Sequence, residues 1–383
     1  MLMHNSLTTF IRELYGTQDF IPLHQPTFSG NEKNYVNNTI DSTFVSSVGA
    51  FVDEFENTLS SFCDAAATVA VVNGTSGLQA ALHMAGVTRG ELVITQSMTF
   101  VATCNAIHWL GAEPAFVDIS DKTLGMCPHS LEGFLDEYCE LSNNVCFHKQ
   151  SGKRVRAVVP MHTFGHPVDL SRLVEVCQNW NLTLIEDAAE SLGSTYKGMH
   201  TGTFGRFGVL SFNGNKIITT GGGGAVLCKT KEDGSKLKHF TTTAKLPHAF
   251  EFIHDEYACN ARMPNLNAAL GLAQLEQLTN FIDKKRHLAA CYADFFNGTA
   301  YKFIQEPQNT RANYWLNAIV CENKTCRDEL LENAKNSGVM MRPVWKPMHQ
   351  LSLYSHCIAY DMRNTEWFAD RLVNLPSSVP SEK

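Results

Sequence analysis

One lysine in a glycine-flanked turn is the first residue able to do covalent chemistry. Leu210–Val226 reads LSFNGNKIITTGGGGAV, with Ser211 in a short apolar stretch (Gly208–Phe212) and Lys216 in the polar turn after it. An ammonium is costly to desolvate. Beside buried strands it gives up its proton more readily and becomes a nucleophilic amine able to form a Schiff base. The competing reading is a solvated loop lysine. Upstream, LTLIEDAAES (Leu182–Ser191) ends an apolar strand on Glu186 and Asp187. A carboxylate at the carboxyl end of a buried parallel strand stands at the rim where α/β folds bind ligands. Asp187 could equally cap the next helix. Glu186 points to the other face if the strand continues, and it is left unassigned. Further back, Ala67–Leu82 reads ATVAVVNGTSGLQAAL: a β-branched strand, a Gly-Thr-Ser-Gly turn and an alanine-rich helix start. Backbone N–H groups and the hydroxyls of Thr75 and Ser76 at such a start bind phosphate, unless they only cap the helix. Gly74 and Gly77 allow close backbone approach.

These residues need a scaffold, and the periodicity supplies one. Thr68–Val72, Leu92–Thr95, Ala115–Val117, Val155–Pro160, Leu182–Glu186, Val209–Phe212 and Ala225–Lys229 are short, apolar and β-rich. Gly77–Met84, Val101–Trp109 and Leu170–Trp180, between them, have helical spacing. Strands apolar on both faces, alternating with helices, predict a mostly parallel sheet. Met1–Tyr15 reads as a packing helix, and Glu32–Thr43 and Val52–Cys63 as further helices. Ser142–Lys153 reads as a surface loop. From Leu246 the texture changes to a long helix, Asn265–Phe295, then the strand Trp315–Val320, the helix Arg327–Asn336 and a tail, Ser377–Lys383, expected to fray. The expected divisions are residues 1–20, 21–245 and 246–383.

Composition bounds the function. The 383 residues suffice for a large core and two or three domains. A net charge of −7 gives no global field for nucleic acid or anionic lipid, so an anionic ligand needs a local site. The 12 cysteines are scattered with no CxxC pair, and no metal site is expected. Cys63, Cys104, Cys177, Cys228 and Cys291 fall in apolar or helical patterns that suit buried, reduced thiols. No signal peptide and no membrane-spanning run stands out, so a cytoplasmic enzyme is expected.

Phosphate cradle, strand-end carboxylate and lysine, in that order, resemble the fold-type I pyridoxal-phosphate enzymes. The wording GTSGLQAAL, MTFVATCNAI, EDAAES, LSFNGNK, TTGGGGAV and NARMPNLNAALGLAQL is similar to the DegT/DnrJ/EryC1/StrS family of sugar-nucleotide aminotransferases, from Ile21 to Pro376. The resemblance implies an α/β fold with a mostly parallel seven-stranded sheet between helices, plus a smaller C-terminal α/β domain. It implies pyridoxal 5'-phosphate as cofactor, alternating with pyridoxamine phosphate. Lys216 would be the amine that condenses with the cofactor aldehyde and later carries a proton. Asp187 would face the pyridine nitrogen. Thr75, Ser76 and Ser211 would hold the phosphate, Phe100 would stack on the ring, and Glu190 would lie near the phenolic oxygen. Asn260 would reach the phosphate of a neighbouring subunit, making a homodimer with shared sites, or would merely start the following helix. Arg262 stays open. His349 would lie near the sugar nucleotide, with Arg342 and Lys346 meeting its diphosphate, or lying in a solvated loop.

Three local features bear on the resemblance. Gly223 stands where many relatives carry an acidic residue. Asn213-Gly214 replaces a commoner bulky or histidine-containing pair. Lys216 itself is kept, where deoxygenating dehydratases of the family carry histidine. The expected reaction is amination of a 4-keto-6-deoxy sugar nucleotide, with glutamate as donor, for cell-surface polysaccharide. LSFNGNK and RPVWKPMHQL point to the UDP-linked N-acetylhexosamine branch of legionaminic-acid-type pathways. The alternatives are a GDP-4-keto-6-deoxymannose (perosamine-type) aminotransferase, a dehydratase on the same cofactor, and a sugar-sensing regulator without turnover.

Overall fold

The computed structural model describes residues 2–380. All the predicted sheet strands form, within two residues of their expected ends, and lie side by side. From one edge the order is Ala67–Val71, Gly224–Cys228, Phe207–Ser211, Thr183–Asp187, Val155–Val159, Leu92–Gln96, Glu113–Val117 and Ala359–Tyr360. Only Gly224–Cys228 runs against its neighbours. The sheet therefore has eight strands rather than seven. The addition is a two-residue strand, Ala359–Tyr360, which the C-terminal segment lays parallel to the free edge of Glu113–Val117. Two residues carry too little pattern to be read as a strand from sequence.

Alternation along each strand sends side chains to two covered faces. Val69, Val71, Val93, Val159, Ile185 and Val209 pack under the helices Gly74–Met84 and Val101–Trp109. On the opposite face, Ala70 and Leu210 join Phe55 of the helix Ala50–Cys63 and Leu272 and Leu278 of the long helix Asn265–Phe296. Further along that face, Ile94, Ala115, Val158 and Leu184 meet Leu170 and Leu173 of the helix Leu170–Asn179. Each fully buried aliphatic side chain contributes about 1.5–3 kcal/mol, so this two-sided burial fixes the sheet edge that carries the site.

A second, antiparallel sheet is ordered Lys302–Phe303, Asn317–Val320, Leu372–Leu375, Arg342–Pro343. Its core takes Leu7 and Ile11 of the N-terminal helix Leu2–Tyr15, Leu288 and Tyr292 of the long helix, and Leu330 and Ala334 of the helix Lys324–Asn336.

Two expectations are corrected. The loop expected at Ser142–Lys153 is in part a hairpin, in which Cys139–Ser142 pairs with Val145–His148. Asn143 and Asn144 turn it with φ of 51° and 62°, the left-handed pair that a two-residue hairpin turn requires and that asparagine tolerates. The tail does not fray at its start: Ser377 and Ser378 are buried, and the Ser377 N–H donates to Leu23 O at 2.7 Å. Residues 381–383 of that tail lie outside the described residues. Among the predicted buried thiols, Cys63, Cys104, Cys177 and Cys228 are buried, whereas Cys291 is only half-buried.

Candidate active site

The carboxyl edge of the sheet gathers the predicted residues. Thr183–Asp187 ends there, and alternation separates its last two acids. Glu186 turns away into a loop: Gly202, Phe204 and Gly205 N–H donate to its carboxylate at 2.7–2.8 Å, and His162 Nε2 lies 3.0 Å from it. Burial pushes the Glu186 pKa up, but His162 and these backbone donors together hold it below the ordinary value. Its work is to shape the loop. Asp187 points into the site. The Thr103 hydroxyl donates to its Oδ2 at 2.7 Å and Ala189 N–H to its Oδ1 at 3.2 Å. Burial raises its pKa, opposed by Thr103, Ala189, and the charges of Lys216 and His162. A buried carboxylate of this kind gains most from a cationic partner.

Lys216 sits in a turn just past the next strand, Phe207–Ser211. The turn is closed by Lys216 N–H donating to Asn213 O at 2.9 Å and by Thr220 N–H donating to Phe212 O at 3.0 Å. The side chain is 12% exposed. Its Nζ lies 4.1 Å from the centre of the Trp315 ring and 3.3 Å from Glu190 Oε1. The other Glu190 oxygen accepts the Phe164 N–H at 2.8 Å. That N–H is aimed by a left-handed backbone: Phe164 has φ 58° and Gly165 φ 95°. For a bulky residue such a conformation costs about 1–3 kcal/mol and is typical of functional sites. Gly165 admits no side chain, since a Cβ there would meet Asn313 Oδ1 at 1.9 Å. Burial pushes the Glu190 carboxyl up to about 7, against the pull of Lys216 and the Phe164 N–H.

The helix Gly74–Met84 starts beside Ser211: a Cβ built on Gly74 would lie 3.0 Å from Ser211 Cβ. Asn73 caps this helix, its Oδ1 accepting Ser76 N–H at 2.8 Å, while Thr75 and Ser76 stay half-buried at the opening. Gly224 pairs with Ser211, and a Cβ there would strike the Asn73–Gly74 backbone at 2.7 Å. Phe100 is not core: it precedes the helix Val101–Trp109, is 49% exposed, and meets Trp345 edge-on at 6.3 Å. His349 Nδ1 lies 2.7 Å from the Ser97 hydroxyl and its Nε2 3.2 Å from Glu366 Oε1. Arg342 and Lys346 are exposed nearby in sequence. Asn260 is exposed, held by Arg262 Nε at 2.9 Å, in a segment that pairs with the end of Ala67–Val71 through Val71 and Arg262. Gly223 has a structural reason: a Cβ there would meet Thr220 Oγ1 at 2.2 Å and Met263 Cε at 2.7 Å, so an acidic side chain needs a different turn.

Sequence reading missed Trp315, Thr103, Phe164, Ser97 and Trp345. Trp315, Thr103 and Ser97 lie beside apolar or small residues and read as core, and Trp345 lies in a charged, proline-limited segment that reads as a loop. Only Phe164, before a glycine, carried a local hint of unusual backbone. A cavity of about 1340 Å³, lined by Lys122, Asp169, Arg172, Tyr196 and Glu306 among others, contains none of the site residues. The predicted site residues gather instead at the carboxyl end of the sheet strands.

Pyridoxal phosphate fits these residues. Neutral donors stand at a helix start closed by two glycines where a Cβ would collide, a buried carboxylate is bonded to a hydroxyl and a backbone N–H, and an amine stands by a carboxyl titrating near neutrality. Glu190 makes the fit testable. Its pKa is raised from the ordinary 4.5 to about 7, so its stabilising contribution is complete below the ordinary value and is lost as pH rises through about 7. Relative to Glu190→Gln, both measured without cofactor, the wild-type stability is expected to fall between about pH 5 and pH 8, by on the order of 1.4 kcal/mol of unfolding free energy per pKa unit, seen as a converging Tm. Parallel Tm curves for the two proteins would reject it.

The profile of the DegT/DnrJ/EryC1/StrS aminotransferase family matches residues 26–381. A GDP-perosamine synthase of Escherichia coli O157:H7 is 36% identical over 94% of this chain and 93% of its own length. One of Vibrio cholerae is 33% identical over 93% and 94%. The crystal structure of the aminotransferase TlmJ from Streptoalloteichus hindustanus, 24% identical, shares the fold with a TM-score of 0.84 over 94% of this chain and 93% of that one.

Proposed function

The chain belongs to the DegT/DnrJ/EryC1/StrS aminotransferase family, and on that premise we propose that it aminates a GDP-linked 4-keto-6-deoxy sugar. It is a pyridoxal-phosphate-dependent sugar aminotransferase. The observation carrying the finer reading is the near-full-length likeness to GDP-perosamine synthases at 36% and 33% identity. The UDP-linked acetamido sugar suggested by LSFNGNK and RPVWKPMHQL has less support, because no relative described above is named for it.

The cofactor, when bound, supplies an aldehyde carbon for amine exchange and a ring that accepts electrons. The chain does the rest. Thr75, Ser76, Ser211 and the N–H groups of the helix start would hold the phosphate. Asp187 would keep the ring nitrogen protonated. Phe100, with Trp345 edge-on to it, would cover one ring face and exclude water. Lys216 would supply the amine that anchors the aldehyde end and carries the proton, with Glu190 Oε1 3.3 Å from its Nζ. Arg342, Lys346 and His349 receive the nucleotide end of the acceptor. Glutamate is the proposed donor.

A homodimer completes this reading. Leu246 and Ile253 pair in a short hairpin, and Phe250, Phe252 and Tyr257 nearby are 90%, 78% and 101% exposed. This apolar surface just before Asn260 suits a second copy. Twelve free thiols support a reducing, cytoplasmic setting. Among the described residues no helix is long and apolar enough to cross a membrane.

The test is to incubate the cofactor-loaded enzyme and glutamate with GDP-4-keto-6-deoxymannose and, separately, with the UDP-linked 4-keto-6-deoxy-N-acetylhexosamine. Mass spectrometry is expected to show the amino sugar only from the GDP compound. Amination of the UDP compound alone would reverse the assignment, and loss of water from either would indicate a dehydratase.

A further inference from the structure

His24 lies outside every motif, yet the fold carries it to the neighbourhood of Lys216. Its chain neighbours are pinned to the buried C-terminal segment. Ser377 N–H donates to Leu23 O at 2.7 Å, and Gln25 N–H donates to Ser378 Oγ at 3.0 Å. Lys285, fully buried on the long helix, ties that anchor to the site: its Nζ donates to the carbonyls of Ser377 and, at 3.1 Å, Trp315. Trp315 is itself fixed. Its N–H donates to Asn313 Oδ1 at 2.8 Å, and its indole Nε1–H donates to Asn215 O at 2.7 Å. The Trp315 ring lies 4.1 Å from Lys216 Nζ, and the His24 ring centre lies 6.4 Å from the Trp315 ring centre.

The imidazole is the exception in this tied network. Both ring nitrogens are buried, and neither has a hydrogen-bond partner among the described residues. Burial, and then the charges of Lys285 and Lys216, hold it well below its ordinary pKa. It is therefore neutral, with one N–H donor and one nitrogen acceptor. Buried polar atoms are almost always satisfied, so a side chain this well anchored calls for a ligand. A carboxylate would prefer a cation. A hydroxyl, which both gives and takes a hydrogen bond, complements a neutral imidazole.

We propose that His24 is a specificity-determining contact for the acceptor, exchanging a hydrogen bond with a hydroxyl of the sugar ring. This rests on the reading that the acceptor is a nucleotide-linked sugar. The test uses the cofactor-loaded enzyme, His24→Phe, and His24→Gln, which keeps a donor and an acceptor. Binding of GDP-mannose, UDP-N-acetylglucosamine, GDP and UDP is measured by thermal shift and calorimetry, and the glutamate half-reaction by stopped-flow absorbance. Wild type is expected to bind GDP-mannose more tightly than GDP. His24→Phe should lose about tenfold of the sugar-dependent affinity, keep GDP affinity and the glutamate half-reaction within about twofold, and show an unchanged or higher Tm. His24→Gln should recover part of the loss. If wild type gains nothing from either sugar, the acceptor reading fails and this role with it. If wild type discriminates but His24→Phe does so equally, or if its Tm and glutamate half-reaction fall together, the role of His24 alone is overturned.

Discussion

Lys216→Ala is expected to abolish amino transfer while leaving the chain folded. In the proposed reaction the side chain is a nucleophile and a proton carrier at once, and proton transfer alone is worth about 10²–10⁴ in rate. Loss of both functions should exceed the upper figure. The fold should survive because, among the described residues, Nζ makes one ion pair, to Glu190, and one ring contact, to Trp315, while the turn is closed by backbone bonds from Lys216 N–H and Thr220 N–H. Borohydride reduction of the loaded wild type should add the cofactor mass to the peptide carrying Lys216. The variant should show no added mass at any lysine and an unchanged far-UV spectrum. Cofactor found on another lysine, or turnover within tenfold of wild type, would end the assignment of Lys216.

Asp187 should matter nearly as much, for a different reason. Removing one partner of a buried charged pair costs about 2–5 kcal/mol, or roughly 30- to 5,000-fold in rate. Asp187→Asn separates charge from structure. Asparagine Oδ1 can still accept the Thr103 hydroxyl, which Asp187 accepts at 2.7 Å, and loses only the longer bond from Ala189 N–H at 3.2 Å, so Tm should fall slightly while kcat falls far more. Asp187→Ala leaves that buried hydroxyl without its acceptor and should lower both. If Asp187→Asn kept full kcat, the acid would be a structural cap after its strand, the reading that sequence alone allowed. Together the two variants test whether the amine and the acid act on one ring, as their shared place on the sheet edge implies.

Periodicity and local motifs in the sequence determined the strands, the long helix, and the lysine, acid and hydroxyl turn at strand or helix ends. These are local properties: a buried strand needs an apolar run, a helix start needs a cap, and a strand end must meet the rim of the sheet. The six quoted motifs added the family and its cofactor. Tertiary structure alone decided which core-like side chains surround the amine. Trp315 lies 99 positions beyond Lys216 and reads as a core aromatic until the Asn215 carbonyl and Lys285 hold it against Nζ. Phe164 owes its role to a backbone angle that no residue type announces. The pairing of Ala359–Tyr360 with the sheet and the burial of Ser377 were equally hidden, since an edge pairing of two residues and a serine tied by backbone carbonyls leave no hydrophobic period. Packing between distant segments decides such contacts, and the chemistry of a residue then depends on neighbours absent from its own stretch of chain.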